Sequence, residues 1–243
     1  MLKKLILLLS LALAVTFAAG AETTVELHLI IKKAYSSLST GSGVEVVYKF
    51  SAKQEVFLSG PKSKIDNTQV TVKNDVLSIF AKDPNATKGL SGVKAVVCGP
   101  VIPSYRASSG SSISVEADLD MKGSDVSASA SSGALVVMKK VVAHEFKADA
   151  SSGASITIDG VKASEIEAEA SSGSSLSLAN IDASSFEADA SSGSSITVSG
   201  TATAADLEAS SGSLVSASGL RVTRYSKKVS SGASMTYPVR PSR

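Results

Sequence analysis

The sequence has no tryptophan, one cysteine and two histidines, and each scarcity narrows what the chain can be. Aromatic residues make up 5% of the 243 residues while 43% are hydrophobic, so a core must be built from aliphatic and small side chains. The one cysteine, Cys98, cannot form an intramolecular disulfide and reads as a buried small hydrophobe, not a nucleophile. His28 and His144 are far apart in the sequence, and no nucleophile elbow, phosphate loop or metal-ligand spacing is present. A net charge of +2 gives no basic excess of the kind nucleic-acid binding needs. No cofactor motif is present.

Long apolar runs are also lacking, except at the start. Lys3 and Lys4 precede an apolar stretch from Leu5 to Ala19 that ends in Ala19-Gly20-Ala21. This is the pattern of a secretory signal peptide over residues 1–21, cleaved before Glu22, and the run is short for a spanning helix. The expectation is an exported protein, in the periplasm, on the cell surface or secreted, with no membrane span after cleavage. No cysteine near the cleavage site offers a lipid anchor.

What the sequence has in abundance is serine, alanine and glycine, and they keep count. Ser-Ser-Gly recurs with its glycine at Gly110, Gly133, Gly153, Gly173, Gly193, Gly212 and Gly232, spaced by 23, 20, 20, 20, 19 and 20 residues. Three residues after each glycine stand Ile113, Val136, Ile156, Leu176, Ile196, Val215 and Met235; two further on come Val115, Met138, Ile158, Leu178, Val198, Ala217 and Tyr237. Seven before it the column reads Pro103, Val126, Phe146, Ile166, Phe186, Ala205 and Tyr225, and three before it six alanines and then Val229. Within each coil these columns share one parity, as in strands whose alternate side chains point inward. Glycine and serine punctuate the chain too often for helices. A second corner follows the inner pair, at Asp159-Gly160, Asn180, Ser199-Gly200 and Ser218-Gly219.

A period of about 20 residues at about 3.3 Å per residue fits one turn of a narrow parallel β-solenoid. The fold expected is therefore all-β: a single-chain parallel β-solenoid, right-handed in expectation, of about seven coils over residues 101–237. A β-rich N-terminal part over residues 22–100 precedes it and starts or caps the stack. There Val44, Val46 and Tyr48, Val56 and Leu58, Val70 and Val72, and Leu77 and Ile79 alternate between turn signals at Ser59-Gly60-Pro61 and Lys73-Asn74-Asp75. Arg221, Arg224, Lys227 and Lys228, with a basic tail over residues 238–243, would blunt the last coil.

The segments Ser42-Gly43-Val44-Glu45-Val46, Glu55-Val56-Phe57-Leu58-Ser59-Gly60, Asn74-Asp75-Val76-Leu77-Ser78-Ile79 and Val101 to Gly110 resemble the family described as putative auto-transporter adhesin, head GIN domain. The likeness spans roughly residues 24–220. It implies a bacterial exported protein with a β-helical fold and no established activity. The regular coils and the Cys98-Gly99 pair depart from the family pattern.

Two outward patterns are candidate sites. Four residues before the glycine stand Asp149, Glu169, Asp189 and Glu208, a carboxylate stripe that stacking brings to about 5 Å spacing, where a calcium ion would relieve repulsion. An ordinary solvated face is the competing reading, since the Gly- and Asp-rich calcium loop of other solenoids is missing. Two and four residues after the glycine stand Ser155 and Thr157, Ser175 and Ser177, and Ser195 and Thr197, a flat hydroxyl face suited to a glycan or to ice, or simply solvated. The function expected is non-catalytic: adhesion or scaffolding at the cell envelope, with a glycan or protein as partner. The alternatives are a polysaccharide-processing β-helix enzyme working with carboxylates and Lys or Arg, and a cation-binding solenoid.

Overall fold

The computed structural model describes residues 9–10, 23–83, 85 and 89–239. Most of the expected signal segment, and Arg240 and Arg243 of the tail, lie outside them. The described residues form one 19-stranded sheet wound on itself. Its elements are β1 (Leu9–Ser10), β2 (Thr24–Ile30), β3 (Ser37–Thr40), β4 (Glu45–Phe50), β5 (Glu55–Pro61), α1 (Lys62–Asp66), β6 (Thr68–Lys73), β7 (Val76–Ala81), β8 (Lys94–Gly99), β9 (Ser104–Ala107), β10 (Ser112–Val115), β11 (Leu119–Asp120), β12 (Val126–Ala130), β13 (Leu135–Val142), β14 (Glu145–Ala150), β15 (Ser155–Ala170), β16 (Ser175–Ala190), β17 (Ser195–Ala209), β18 (Leu214–Val229) and β19 (Ser234–Thr236).

Each Ser-Ser-Gly is a hairpin-like corner that joins two faces of the same coil. Its second serine and its glycine both take positive φ, 54° at Ser172 and 71° at Gly173, which turns the chain in two residues. The turn closes on itself when Ser174 N–H donates to Ser171 O, and it reaches the next coil when Gly173 N–H donates to Ser192 O at 3.0 Å. The same inter-coil bond recurs from Gly110 to Gly212. Where a serine follows the glycine, as at Ser174, Ser194 and Ser213, it is buried and its hydroxyl donates to an alanine carbonyl of the preceding coil at 2.8 Å. These buried hydroxyls are thereby satisfied by the repeat itself.

The second corner lies where expected, with the pairing interrupted between Ile158 and Val161 and positive φ at Asn180 (49°), but it is a bend within a strand. No turn separates strands there: β15 runs unbroken for 16 residues, and its pairing with β16 continues through Val161↔Ile181 and Ala163↔Ala183. Each coil thus pairs in three stretches, residues 155–158, 161–163 and 165–170 in β15, with bends between them. In β17 one residue is missing at this bend, and Gly200 (φ 128°) presses against the Ile181 backbone.

The inward columns are buried as their parity requires, from Ile113 at 0% to Val215 at 0% exposure. Neighbouring columns trade volume. Coils with a large residue seven before the glycine have alanine two residues later: Phe146 with Ala148, Ile166 with Ala168, Phe186 with Ala188. Where the first position shrinks, the second grows, as in Pro103 with Tyr105 and Ala205 with Leu207. The exchange keeps these coils filled within a cross-section that the corners hold, while the Val126 with Ala128 coil is small at both positions.

Parallel stacking begins earlier than Val101. β3 pairs in parallel with both β7 and β9, and β4 with both β8 and β10. The chain lays down one coil, leaves through β5, α1 and β6, places a second coil beneath the first with β7 and β8, and resumes above with β9. Below this, β2, β5 and β8 pair antiparallel, and β6 with β7 forms a hairpin whose turn residues Asn74 and Asp75 both have positive φ. Ser59-Gly60-Pro61, expected to be a turn, ends β5 and leads into α1 instead. Cys98 is half-buried on the outward side of β8, not in the core, because its neighbours Val97 and Gly99 take the inward positions.

Two stability outcomes follow, read as urea midpoints. Gly173→Ala meets no atom within 4 Å and costs only the left-handed backbone penalty, about 1 kcal/mol, whereas Gly200→Ala places Cβ 2.3 Å from Ile181 O and costs at least twice that. Leu207→Ala costs about 2–5 kcal/mol alone, and Ala205→Phe in the same chain restores part of the loss.

Candidate functional site

The hydroxyl face is built by the first stretch of β15, β16 and β17. Ser155, Ser175 and Ser195 occupy one register column, and Thr157, Ser177 and Thr197 the next. Their inward neighbours, Ile156 and Ile158 and the equivalents above, are buried, so the six side chains stand on the outer side of the sheet. Among the described residues, none of the six hydroxyls is taken up by an intramolecular hydrogen bond. Leu135, 39% exposed, borders the strip on one side and Leu214, 40% exposed, on the other.

The carboxylates fall on β14 and on the last stretch of the same three strands, the one that leads into the next Ser-Ser-Gly. Asp149, Glu169, Asp189 and Glu208 do share one register column, running through β14 to β17. Lysines close both its ends. Lys147 Nζ lies 3.0 Å from Glu167 Oε1 and from Glu169 Oε1 and 3.8 Å from Asp149, while Lys228 Nζ lies 3.0 Å from Glu208 Oε2. Asp189, between them, has no ion pair among the described residues. Among the described residues no three His, Cys, Asp or Glu side chains converge closely enough to hold a metal ion.

At the Lys147 end one ammonium is shared among three carboxylates. Hydrogen bonds to Glu169 and Glu167 hold the Lys147 ammonium above its ordinary range. Glu167 is raised, first by its hydrogen bond with Glu169, and Glu169 is lowered by the same bond and by Lys147. Burial pushes Asp149 up.

The sequence matches the family model described as putative auto-transporter adhesin, head GIN domain, over residues 34–161 and again over 140–242. The chain belongs to that family. Among solved structures it is similar to a putative adhesin from Bacteroides fragilis, at 13% identity over 88% of this chain and 97% of that one with a TM-score of 0.77. It is also similar to putative adhesins from Parabacteroides merdae (10% identity, 90% and 98% coverage, TM-score 0.71) and Parabacteroides distasonis (14%, 89% and 98%, 0.67). At these identities the likeness establishes the shared fold. No curated protein matches the sequence.

Two features of this head GIN domain protein escape the repeat pattern. A groove of about 630 Å³ follows the second bend and is lined by Asp118, Lys139, Lys140, Asp159, Lys162 and Asp182. All six are exposed, and Lys162 is closed on Asp182 at 2.6 Å. A hollow of about 550 Å³ opens at the lower end of the stack, lined by Val25, Leu29, Leu58, Ile65 and Val70. Of its walls, only Leu58 and Val70 stand in the alternating pairs that the sequence displays.

Glu169 ionises more readily in the folded chain, so it contributes stability that is present above its ordinary unfolded range and is lost as pH falls through the lower folded value. Glu167 does the reverse, its penalty at neutral pH vanishing as it protonates. Both are substantially exposed, which keeps each effect below about 1 kcal/mol. At pH 7 Glu169→Gln is expected to destabilise and Glu167→Gln to be neutral or stabilising, with both differences closing towards pH 3 in urea titrations.

Proposed function

We propose that the protein is exported after removal of Met1–Ala21 and acts at the cell envelope as a non-catalytic binding module for an extended glycan. The observation that carries this reading is the hydroxyl strip, with free Ser and Thr side chains repeated at about 4.8 Å between coils and about 7 Å along each strand. A polymer with its own periodic hydroxyls is matched by such a lattice, and Leu135 and Leu214 supply apolar borders against which sugar rings pack. Family membership supports adhesion as the class of activity.

Support for a non-catalytic role comes from the distribution of charge. The outward acids repeat evenly along the stack, and the mixed-charge groove leaves its carboxylates in solvent. Calcium enters as a condition of the test, through the Asp149 to Glu208 column.

The exported protein is applied to an array of cell-envelope glycans, with and without calcium, while reducing-end release is followed. Saturable binding without product is expected, weakened at least about tenfold by Ser177→Arg, which sets a bulky cation in the middle of the strip. Released sugar, or equal binding by the variant, overturns the reading.

A further inference from the structure

We propose that the exported protein pairs with a second copy of itself through the outer edge of β2, joining two solenoids at their lower ends. The inference rests on removal of Met1–Ala21. One edge of β2 is paired with β5 along all seven residues. On the other, among the described residues, only Leu9 and Ser10 pair, antiparallel, opposite Leu29 and His28. Both belong to the segment that export removes. That edge is therefore competent for an antiparallel strand and is left open in the exported chain.

The sequence of β2 is complementary to itself. A twofold axis at Leu27 sets Val25 opposite Leu29, Glu26 opposite His28, Thr24 opposite Ile30, and Leu27 opposite its own copy. Each unlike pair occurs twice, as an isologous interface requires. Val25 meets Leu29, Leu27 meets its own copy, a carboxylate meets an imidazole, and the outermost pair sets Ile30 against the β-branched Thr24. An axis at residue 26 would oppose two Glu26 carboxylates, and one at residue 28 two imidazoles. In the favoured register His28, already 3.8 Å from Glu55 and stacked on Phe57 at 4.3 Å, also faces the partner's Glu26.

The surroundings of the edge are apolar. Val25 and Leu29 line the lower hollow with Leu58, Ile65 and Val70, and a second copy extends that wall. Ile30 and Phe57, 43% and 39% exposed, lie on β2 and its neighbour β5. The two ends of the molecule also differ in protection. The upper coil carries Arg221, Arg224, Lys227 and Lys228, the residues with which proteins block edge pairing. β2 has no lysine, arginine, proline or bulge.

The test uses protein recovered after export, with intact mass reporting where its chain begins. Light scattering on a sizing column is expected to give twice that mass at tens of micromolar. In a Cys98→Ser background, Leu27→Cys should cross-link into a disulfide dimer on mild oxidation, because residue 27 opposes itself, while Thr24→Cys, which opposes residue 30, should not. A monomer at these concentrations overturns the proposal, as does a dimer in which Leu27→Cys fails to cross-link or Thr24→Cys does so equally. Glycan binding is measured separately, so a monomer that binds glycan refutes this interface and leaves the proposed function standing.

Discussion

The structure depends on one corner. Two successive residues in the left-handed region reverse the chain within each Ser-Ser-Gly, and the glycine N–H then bonds to the same corner one coil away. Because a one-residue slip would turn every side chain to the wrong face, fixing the corner fixes the whole register. The serine in each pair accepts a backbone conformation that costs an L-residue of order 1 kcal/mol, so the hydrogen bonds and the buried columns must offset that cost at every turn. The corners also set the width of the interior, which is why alanine fills the column nearest to them at Ala107, Ala130, Ala150, Ala170, Ala190 and Ala209.

Within that width the core behaves as a set of coupled choices. Phe186 with Ala188 gives way to Ala205 with Leu207 in the next coil, and the mass moves sideways without a change in backbone spacing. At the upper end the same logic is broken: Lys227 stands where Leu207 and four successive alanines stand below it, its ammonium 3.8 Å from the centre of the Tyr237 ring. A charged residue in an inward column gives a further coil nothing to pack against. The end of the stack is written as clearly as its repeat.

Much of this was legible in the sequence because a repeated parity needs no tertiary information. The inward columns from Ile113 to Val215, the outward hydroxyls and the carboxylate column all follow from counting residues relative to the glycines. The two lowest coils carry the same spacing in degenerate form, since Val46 and Tyr48 stand three and five residues after Gly43, and Ala95 and Val97 after Gly92. A lone Ser-Gly is too common to announce a corner, and the loop before Gly92 breaks the count. The order of those coils was not legible, because the placement of β7–β8 beneath β3–β4 is a long-range choice with no local signature. Neither was the unbroken strand through Asp159-Gly160, where glycine marks a bend and not a stop. The hydrophobic character of Cys98 points to burial, whereas its parity with Val96 sets it outward and half-buried. At the acidic column the register could be counted, but the grip of Lys147 on Glu167 and Glu169 depends on side-chain reach.

The inter-coil hydrogen bonds run along the axis of the rod, and this has a mechanical meaning. A load applied along that axis acts on one coil's bonds at a time instead of shearing many together. The upper coil, held at its end by the bridge between Arg221 and Val239 and by the short β19, is the first to give. Each 20-residue coil that peels away would release about 60 to 70 Å of extended chain in exchange for about 5 Å of rod. A tether anchored through this solenoid would lengthen in nearly equal steps under tension, dissipating force while the coils below remain folded.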